Sequence, residues 1–173
     1  MKFKNTPVIM TKRLCLRAIE EKDRAEMLEL FTDPIIAKTY LMPDFASKED
    51  AVPLFERFRE LSVSDERFVY GVCLNDKVIG WVNDVSAEGG VVELGYVIDP
   101  AHHNQGYATE MLQAAMEEVF ASGYTVLKTG AFEDNTASIR VMEKNGMHRI
   151  EEEEYLEYRG KKHRCVYYIK EAK

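Results

Sequence analysis

The residues of this chain that most clearly could support chemistry lie between Glu93 and Glu110, in the segment ELGYVIDPAHHNQGYATE. An apolar run ends at Asp99-Pro100, and a polar turn then opens at Gly106 into a long amphipathic pattern. This order predicts a strand, a glycine-bearing turn and the N-terminus of a helix. The first amides of a helix have no backbone partner, and the helix dipole favours negative charge there. We therefore expect the turn to bind a phosphate or pyrophosphate, which predicts a phosphorylated cofactor.

The turn behind this prediction reads HHNQGYAT over residues 102–109. Gly106 would let a ligand approach the backbone closely, Ala108 leaves the start of the helix uncrowded, and Thr109 adds a hydroxyl. The turn is not a Walker loop, which needs Gly-x-x-x-x-Gly-Lys-Ser/Thr, and it is not a Gly-x-Gly-x-x-Gly fingerprint. On physical grounds alone, a phosphate-binding turn and an ordinary strand-to-helix loop both remain open.

The rest of the pattern predicts the elements that position this turn. Alternating or apolar runs predict seven strands, over residues 13–18, 68–74, 78–85, 91–98, 125–132, 147–158 and 161–170. Helical spacing and capping residues predict helices over 20–31, from Ser47 onward, over 105–121, and from Asp134 or Asn135 to Asn145-Gly146. A strand, a long helix and another strand form a right-handed crossover, so strands 91–98 and 125–132 should be parallel. We expect an α+β fold, with a mixed and mostly antiparallel sheet between helices on both faces.

Composition and charge favour a single compact domain over residues 1–173. The chain is 46% hydrophobic, and it lacks both a run of roughly 20 apolar residues that could cross a bilayer and the apolar block of a secretion signal. We therefore expect a cytoplasmic protein with no membrane partner. The net charge of −7, with no basic stripe, argues against a nucleic-acid partner and suits a cationic substrate. Cys15, Cys73 and Cys165 form no Cys-x-x-Cys pair, so we expect buried reduced thiols.

These motifs resemble the GNAT superfamily of N-acetyltransferases, whose first signature, Arg/Gln-x-x-Gly-x-Gly/Ala, follows the fourth strand. Within that superfamily, ELGYVIDP at 93–100 and QGYATE at 105–110 are similar to the ribosomal-protein-alanine acetyltransferases of the RimJ/RimL type. The segment NTASIRVMEKNGM at 135–147 matches the second signature of the family. The opening TKRLCLR at 11–17 and the last hairpin also fit, so the resemblance spans nearly the whole chain.

The resemblance implies a three-layer α/β fold whose seven-stranded sheet has a splayed central parallel pair, with acetyl-CoA lying between those two strands. The pyrophosphate would bind the amides of residues 105–109, and the pantetheine arm would pair with the backbone of residues 96–98. Backbone groups there could also donate to the thioester carbonyl. The cofactor-binding residues implied in this way are Tyr96, Val97, Ile98, His103, Asn104, Gln105, Gly106, Tyr107, Ala108, Thr109, Asn135 and Ser138.

The chain departs from the family pattern at the first signature position, where His103 replaces the usual Arg or Gln. A neutral His103 contributes little charge, so cofactor binding would depend more on the amides and the helix dipole. A metal pair formed by His102 and His103 is the competing interpretation. Because these residues are adjacent on a loop, with no other His or Cys nearby in sequence, we expect no metal site.

The resemblance and the sequence context together assign candidate catalytic residues. Acetylation of an amine requires the neutral nucleophile, and a protein α-amine (pKa near 8) costs less to deprotonate than a lysine (pKa near 10.4). Glu93 is the candidate base because it is an acidic residue inside an apolar strand, where burial would raise its pKa. A solvated charge or a structural ion pair is the alternative for Glu93.

Other positions also depart from the usual catalytic pattern. Many relatives use a tyrosine in the second signature to assist the departing thiolate, but the matching residue here is Met142. Ser138, one helical turn earlier, resembles the serine that some members of this branch are thought to use; a plain small helical residue is the alternative. Asn135 would cap its helix and reach the pantetheine amides.

The acceptor is less well defined by the sequence than the cofactor. Tyr40, Trp81 and Glu93 are the candidate substrate residues, although aromatic core packing explains Tyr40 and Trp81 equally well. The acidic run at 151–154 is either a solvated sheet edge or a wall that attracts a cation.

The expected activity is direct transfer of an acetyl group to a primary amine, either a protein N-terminal α-amine or a small molecule such as an antibiotic, amino acid or polyamine. A non-enzymatic acyl-CoA-binding module is the rival interpretation, motivated by Met142 and His103. A homodimer through the sheet edge or the last hairpin is compatible with the sequence.

Overall fold

A single eight-stranded sheet organises the protein, as seen in a computed structural model that describes residues 1–173. The strands are β1 (Val8–Met10), β2 (Cys15–Arg17), β3 (Val69–Leu74), β4 (Lys77–Glu88), β5 (Val91–Ile98), β6 (Val126–Phe132), β7 (His148–Tyr158) and β8 (Lys161–Glu171). The α-helices are α1 (Arg24–Phe31), α2 (Val52–Leu61), α3 (Tyr107–Ala121) and α4 (Thr136–Lys144), with short 3₁₀ turns at Glu21–Asp23, Ile36–Lys38, Glu49–Ala51 and Pro100–His102. The sheet order is β1-β2-β3-β4-β5-β6-β8-β7, and only β5 and β6 are parallel.

The predicted mixed sheet with one central parallel pair is confirmed, but the predicted count of seven strands is wrong. The additional strand is β1, which pairs antiparallel with β2 at the sheet edge. It has three residues, and Val8 and Met10 are exposed while Ile9 is half-buried. Such a short segment with mostly solvent-facing residues lacks the buried alternation that identifies a strand in sequence.

Two apolar clusters, one on each face of the sheet, hold the helices in place. The first contains 23 buried residues, among them Met111 and Leu112 of α3 and Met142 of α4. The second contains 13, among them Met27 of α1 and Phe55 of α2. The prediction of helices on both faces is therefore confirmed. The longest helix, α3, has 15 residues, and no helix of the protein is long and apolar enough to span a membrane.

The three cysteines are free thiols distributed over the sheet. Cys73 and Cys165 are buried, as expected, whereas Cys15 on β2 is only half-buried. Burial raises the pKa of the Cys73 thiol to about 12. A thiol with so high a pKa stays protonated and unreactive at neutral pH.

The parallel pair β5–β6 separates along its length. Its register joins Val91 to Val126 and continues for four residue pairs, ending at Leu94 and Thr129. Beyond this point β5 remains paired with β4, and β6 remains paired with β8. The facing backbones of residues 95–98 and 130–132 are therefore not paired with each other, and a V-shaped opening lies between the two strands.

We expect Gly80→Ala to destabilise the protein because it would disrupt the pairing that supports this opening. A Cβ atom at Gly80 on β4 would lie 2.0 Å from the backbone carbonyl oxygen of Val97 on β5. The backbone of β5 would have to move, and a loss of more than about 2 kcal/mol is expected in urea unfolding. Gly71→Ala is the control, because the closest atom to its Cβ would be in the Ile19 side chain, at 3.3 Å, and the nearest backbone atom, the Arg17 carbonyl oxygen, would be 3.5 Å away. Equal stability of the two variants would contradict the prediction.

Candidate active site

The turn before α3 presents a row of free backbone amides. Gly106 is the N-cap of α3 with φ 81°, and no side chain caps the helix. Asn104 also has positive φ, at 59°. No backbone or side-chain acceptor in the protein bonds the amides of residues 104–109. The helix begins at residue 107, two residues later than predicted. Because Asn104 and Gly106 are left-handed, the free amides before the helix form a concave row of donors, which suits an anion.

Arg13, from the turn between β1 and β2, supports this row of amides from the side. Its Nη1 donates to the Gln105 carbonyl at 2.8 Å, and its Nε donates to Glu110 Oε2 at 2.7 Å. Its guanidinium lies 4.4 Å from the ring centroid of Tyr107. Although burial opposes the shift, hydrogen bonds from Thr11 and Arg13 lower the pKa of Glu110. Arg13 thus neutralises the one acidic side chain in the first turn of α3, which would otherwise repel an anion.

The two histidines of the turn have different surroundings. His103 Nε2 lies 2.7 Å from the Ile98 carbonyl oxygen. A carbonyl can only accept, so this nitrogen carries the proton. His103, which replaces the usual Arg or Gln of the first signature, therefore anchors the turn to the end of β5. His102 Nδ1 lies 3.6 Å from Asp99 Oδ2, and no group of three or more His, Cys, Asp or Glu side chains comes together to hold a metal.

Glu93 lies at the closed end of the opening, one residue before the pairing of β5 and β6 ends. Its register partner is Lys128, whose Nζ is 3.8 Å from Glu93 Oε2 and 2.7 Å from Glu152 Oε1. Both side chains of the register pair are mostly buried, with 21% of Glu93 and 17% of Lys128 exposed. Burial raises the pKa of Glu93; Lys128 lowers it, and the charges of Glu152 and Glu154 raise it further. The structure thus brings the candidate base into a charged cluster.

The last strands complete this charged cluster. Tyr167 of β8 donates to Glu154 Oε2 at 2.9 Å, and Lys128 Nζ lies 4.2 Å from the Tyr167 ring centroid. Of the acidic run at 151–154, Glu152 and Glu154 therefore contact residues beside Glu93. The cluster contains three carboxylates and one ammonium, so it is suited to a cationic ligand.

On the opposite face of the same opening, Tyr96 and Ser138 meet. The Tyr96 hydroxyl oxygen lies 2.9 Å from Ser138 Oγ. Ser138 is in the first turn of α4, where the Asn135 side chain caps the helix by accepting from the Ser138 amide at 3.3 Å. Met142, one turn further, is fully buried in the core. Tyr96, Ser138 and Asn135 thus border the opening, whereas Met142 does not reach it.

The two predicted aromatic substrate residues have different positions. Trp81 has no exposed surface and packs against Phe31 and Phe58, so the structure corrects its placement at the acceptor mouth to a place in the core. Tyr40 packs edge-on against Trp81, donates to Asn83 Oδ1 at 2.8 Å, and would contact a Cβ on Gly95 at 3.4 Å. Tyr40 therefore lies beside the part of β5 that is not paired with β6.

The hairpin between β7 and β8 fixes the loop that carries Tyr40. The Tyr158 hydroxyl donates its one proton to the Ala37 carbonyl at 2.6 Å, and the Tyr40 carbonyl oxygen lies within 3.0 Å of the same hydroxyl. Arg159 donates to the Met42 carbonyl at 3.1 Å and to Asp44 Oδ1 at 3.1 Å. These bonds join two segments more than 110 residues apart in sequence on the Glu93 side of the sheet.

Several residues of the site could not be assigned from their own sequence context. They are Arg13, Asn83, Lys128 and Tyr167, and the side chain of Tyr96. One partial signal was available for Lys128: Glu93 and Lys128 are each the one charged residue in the predicted parallel strands 91–98 and 125–132. Opposite charges on adjacent strands favour a cross-strand pair, but the register that joins these two residues is given only by the structure.

Comparisons with known proteins show the family to which this chain belongs. Residues 13–148 match the family described as the acetyltransferase (GNAT) domain. The chain is 32% identical over 146 residues to the uncharacterized N-acetyltransferase YnaD of Bacillus subtilis, covering 82% of each protein. A GNAT-family acetyltransferase structure from Bacillus anthracis has a TM-score of 0.80 at 25% identity, with 95% of this chain and 98% of that chain covered.

A structure of RimL, a ribosomal L7/L12 alpha-N-protein acetyltransferase in complex with coenzyme A, has a TM-score of 0.82 at 18% identity, covering 95% and 97% of the two chains. At that identity the likeness concerns the fold. The match of the family model to most of the chain shows that this protein is an acyltransferase. It belongs to the GNAT family of N-acetyltransferases, and the resemblance found in its sequence motifs is confirmed.

The residues present fit coenzyme A. The free amides at 104–109 suit a pyrophosphate, and the unpaired backbones of β5 and β6 suit an extended chain that carries amides. Thr129 Oγ1 is buried without a hydrogen-bond partner at the last paired position of β6. Buried hydroxyls normally have partners, so this one is available to a polar group that enters the opening.

We expect the Glu93 carboxyl to titrate above its ordinary pKa of 4.5, because burial penalises the charged form. In Lys128→Met the titration midpoint should move to higher pH, because the ammonium that favours the carboxylate is removed while Glu152 and Glu154 remain. NMR titration of side-chain carboxyl carbons measures both values. Lys128→Arg should stay close to wild type, and Lys77→Met, at the exposed start of β4, is a charge-matched control. A Lys128→Met midpoint at or below that of wild type would contradict this account.

Proposed function

We propose that the protein transfers an acetyl group from acetyl-CoA directly to a primary amine, and that the acceptor is the α-amine of a protein N-terminus. The observation that carries this proposal is the V-shaped opening between β5 and β6. It has free amides at its open end and Glu93 at its closed end. From Ile98 to Glu93 the strand spans five residues, or about 16 Å, which suits an extended pantetheine arm.

The proposed binding mode uses the backbone more than side chains. The amides of residues 105–109 bind the pyrophosphate, with charge supplied by the dipole of α3 rather than by His103. The unpaired backbone of residues 96–98 pairs with the pantetheine arm, although the Ile98 carbonyl already accepts from His103. An N–H in this stretch can donate to the thioester oxygen as negative charge develops there.

The proposed proton acceptor is Glu93, directly or through one water. Its raised pKa makes its carboxylate a better base than an exposed glutamate. The ionised side chain takes a proton from the acceptor ammonium, and the resulting neutral amine attacks the acyl carbon. Lys128 favours the ionised form of Glu93 and so opposes the effect of burial on its pKa. These roles favour catalysis over a binding module without activity.

Two observations support an α-amine as the acceptor. The charged cluster around Glu93 contains three carboxylates and one ammonium, that of Lys128, and this excess of negative charge favours a cation. An α-amine is largely deprotonated at a lower pH than a lysine, so a single carboxylate base is sufficient. RimL, whose structure resembles this chain, is by name an alpha-N-protein acetyltransferase. A small-molecule amine, such as an antibiotic, amino acid or polyamine, is the alternative acceptor that the assay below separates.

We expect Gly106→Ala to weaken coenzyme A binding about tenfold, because an L-residue resists a φ of 81°. Its Cβ would also lie 3.2 Å from Arg13 Nη2, which supports the turn. Isothermal titration calorimetry with coenzyme A measures the change. Gly123→Ala is the matched control: it has φ 92° and lies just after the far end of α3. If the two variants lose the same affinity, general strain rather than the amide row explains the effect.

We expect acetyl-CoA-dependent release of free thiol with peptides whose N-terminal α-amine is free, and none with the same peptides after N-terminal blocking. Glu93→Gln should lower kcat about 100-fold or more without loss of coenzyme A binding, since an amide cannot accept the proton. Glu117→Gln, on the exposed side of α3, is the control. Turnover only with small amines would contradict the α-amine as the acceptor and show that the acceptor is a small molecule. Binding of acetyl-CoA with no turnover of any amine would overturn the proposed activity.

A further inference from the structure

Two hydroxyl groups connect β5 to α4 across the opening. Tyr96 is two residues beyond the last paired position, Leu94, and its side chain reaches Ser138 at the start of α4. Tyr96 and Ser138 both lie on the α3–α4 face of the sheet, opposite the face that holds Lys128 and Glu152. The pair therefore borders the opening from the side away from the candidate base.

The two hydroxyls of Tyr96 and Ser138 carry two protons, and only one of these is needed for the hydrogen bond between them. Two O–H groups share a single hydrogen bond of 2.9 Å. The next contact is from the Tyr96 hydroxyl to the Ser138 carbonyl, at 3.5 Å, which is at the limit of a hydrogen bond. No other acceptor bonds Ser138 Oγ. When Tyr96 donates to Ser138 Oγ, the Ser138 proton is free to be donated to a third group.

The surroundings favour a negatively charged third group. Ser138 is in the first turn of α4, a helix of nine residues whose N-terminus carries partial positive charge. Burial raises the pKa of the Tyr96 phenol to about 12, so Tyr96 keeps its proton and remains a donor at neutral pH. A thiolate near a helix N-terminus is stabilised in the same way as other anions there. Met142 offers no hydroxyl from the next turn.

We propose that Tyr96 is a positioning residue that orients the Ser138 hydroxyl toward the sulfur of coenzyme A, so that the two hydroxyls and the N-terminus of α4 stabilise the departing thiolate. Tyr96 thus supplies from β5 the phenol that α4 lacks at position 142. The inference rests on the proposed function, because it requires coenzyme A in the opening.

The group-transfer step balances without proton transfer from either hydroxyl. The amine nitrogen bonds to the acyl carbon, the carbon–sulfur bond breaks, and its electron pair stays on sulfur. The nitrogen loses two protons in all. Glu93 takes the first from the ammonium before attack and passes it to solvent, and it then takes the second after the nitrogen has bonded to the acyl carbon. The sulfur leaves as a thiolate that accepts the Ser138 hydrogen bond, which favours the anion over the thiol.

The experiment measures the thiol pKa of bound coenzyme A from the ultraviolet absorbance of its thiolate, titrated in the binary complex. In the wild-type protein this pKa should lie about one pH unit below that of free coenzyme A, since a hydrogen bond to the anion favours it. Tyr96→Phe and Ser138→Ala should each remove most of the difference. The double variant should show no further change, because both residues act through one hydrogen bond.

Activity and binding provide a second readout. In Tyr96→Phe, kcat should fall about tenfold, the equivalent of one pKa unit, while the calorimetric Kd for coenzyme A and the KM for acetyl-CoA stay within twofold. Tyr70→Phe is the matched control. It removes a tyrosine hydroxyl that donates to the Thr6 carbonyl at 2.8 Å, elsewhere in the same core, and should change neither quantity.

The outcomes separate this inference from the proposed function. If the wild-type protein binds coenzyme A but leaves its thiol pKa unchanged, the inference is overturned and the proposed function stands. An effect of Ser138→Ala with none of Tyr96→Phe would overturn the role of Tyr96 alone. Failure of the wild-type protein to bind coenzyme A would overturn both.

Discussion

Two parallel strands that hydrogen-bond over four residue pairs and then diverge create the central constraint of this molecule. Each strand is held on its outer side, β5 by β4 and β6 by β8, so the opening cannot close by a shift of either strand. Backbone amides and carbonyls on the inner sides are left without a strand partner, which is costly when such groups are shielded from water. An extended ligand that carries its own amides satisfies them, and the same divergence sets where its two ends lie.

The charges around the closed end of the opening must be considered as a group. Glu93 taken alone is a buried carboxylate whose ionisation is penalised. Lys128 offsets that penalty, while Glu152 and Glu154 bring further negative charge from the edge strand β7. Lys128 thus favours the ionised form of Glu93, and the group as a whole favours a cation. At the open end the arrangement is reversed, because Arg13 cancels the charge of Glu110 and leaves the helix dipole to attract an anion.

The sequence was sufficient to predict the role of a residue wherever that residue acts through its immediate neighbours. Asn135 caps α4 and Gly106 precedes the long helix α3, and both follow from local backbone chemistry. The crossover and the parallel pair also followed from the order of elements. Residues whose role depends on register or on distant segments were not accessible in this way. Lys128 meets Glu93 only through the strand register, and Arg13 reaches Gln105 from 92 residues away.

Burial explains the remaining differences between sequence and structure. Trp81 has an aromatic side chain that suits either a substrate mouth or a core, and only the packing of α1 and α2 on the sheet decides that it is core. The strand β1 has two exposed residues of three, so its pattern carries no burial signal. In both cases the deciding information is the position of neighbours that are distant along the chain.

The bonds from Tyr158 and Arg159 to the loop around Tyr40 and Met42 have a consequence for how the sequence of this loop can vary. The loop and the hairpin tip come from distant parts of the chain and are held together by hydrogen bonds. These bonds are accepted largely by main-chain carbonyls. Because carbonyls are independent of residue type, the loop can change its side chains freely while its path is retained. A change in loop length, by contrast, moves those carbonyls away from their donors. Chimeras that exchange the loop between relatives must therefore carry the hairpin tip with it.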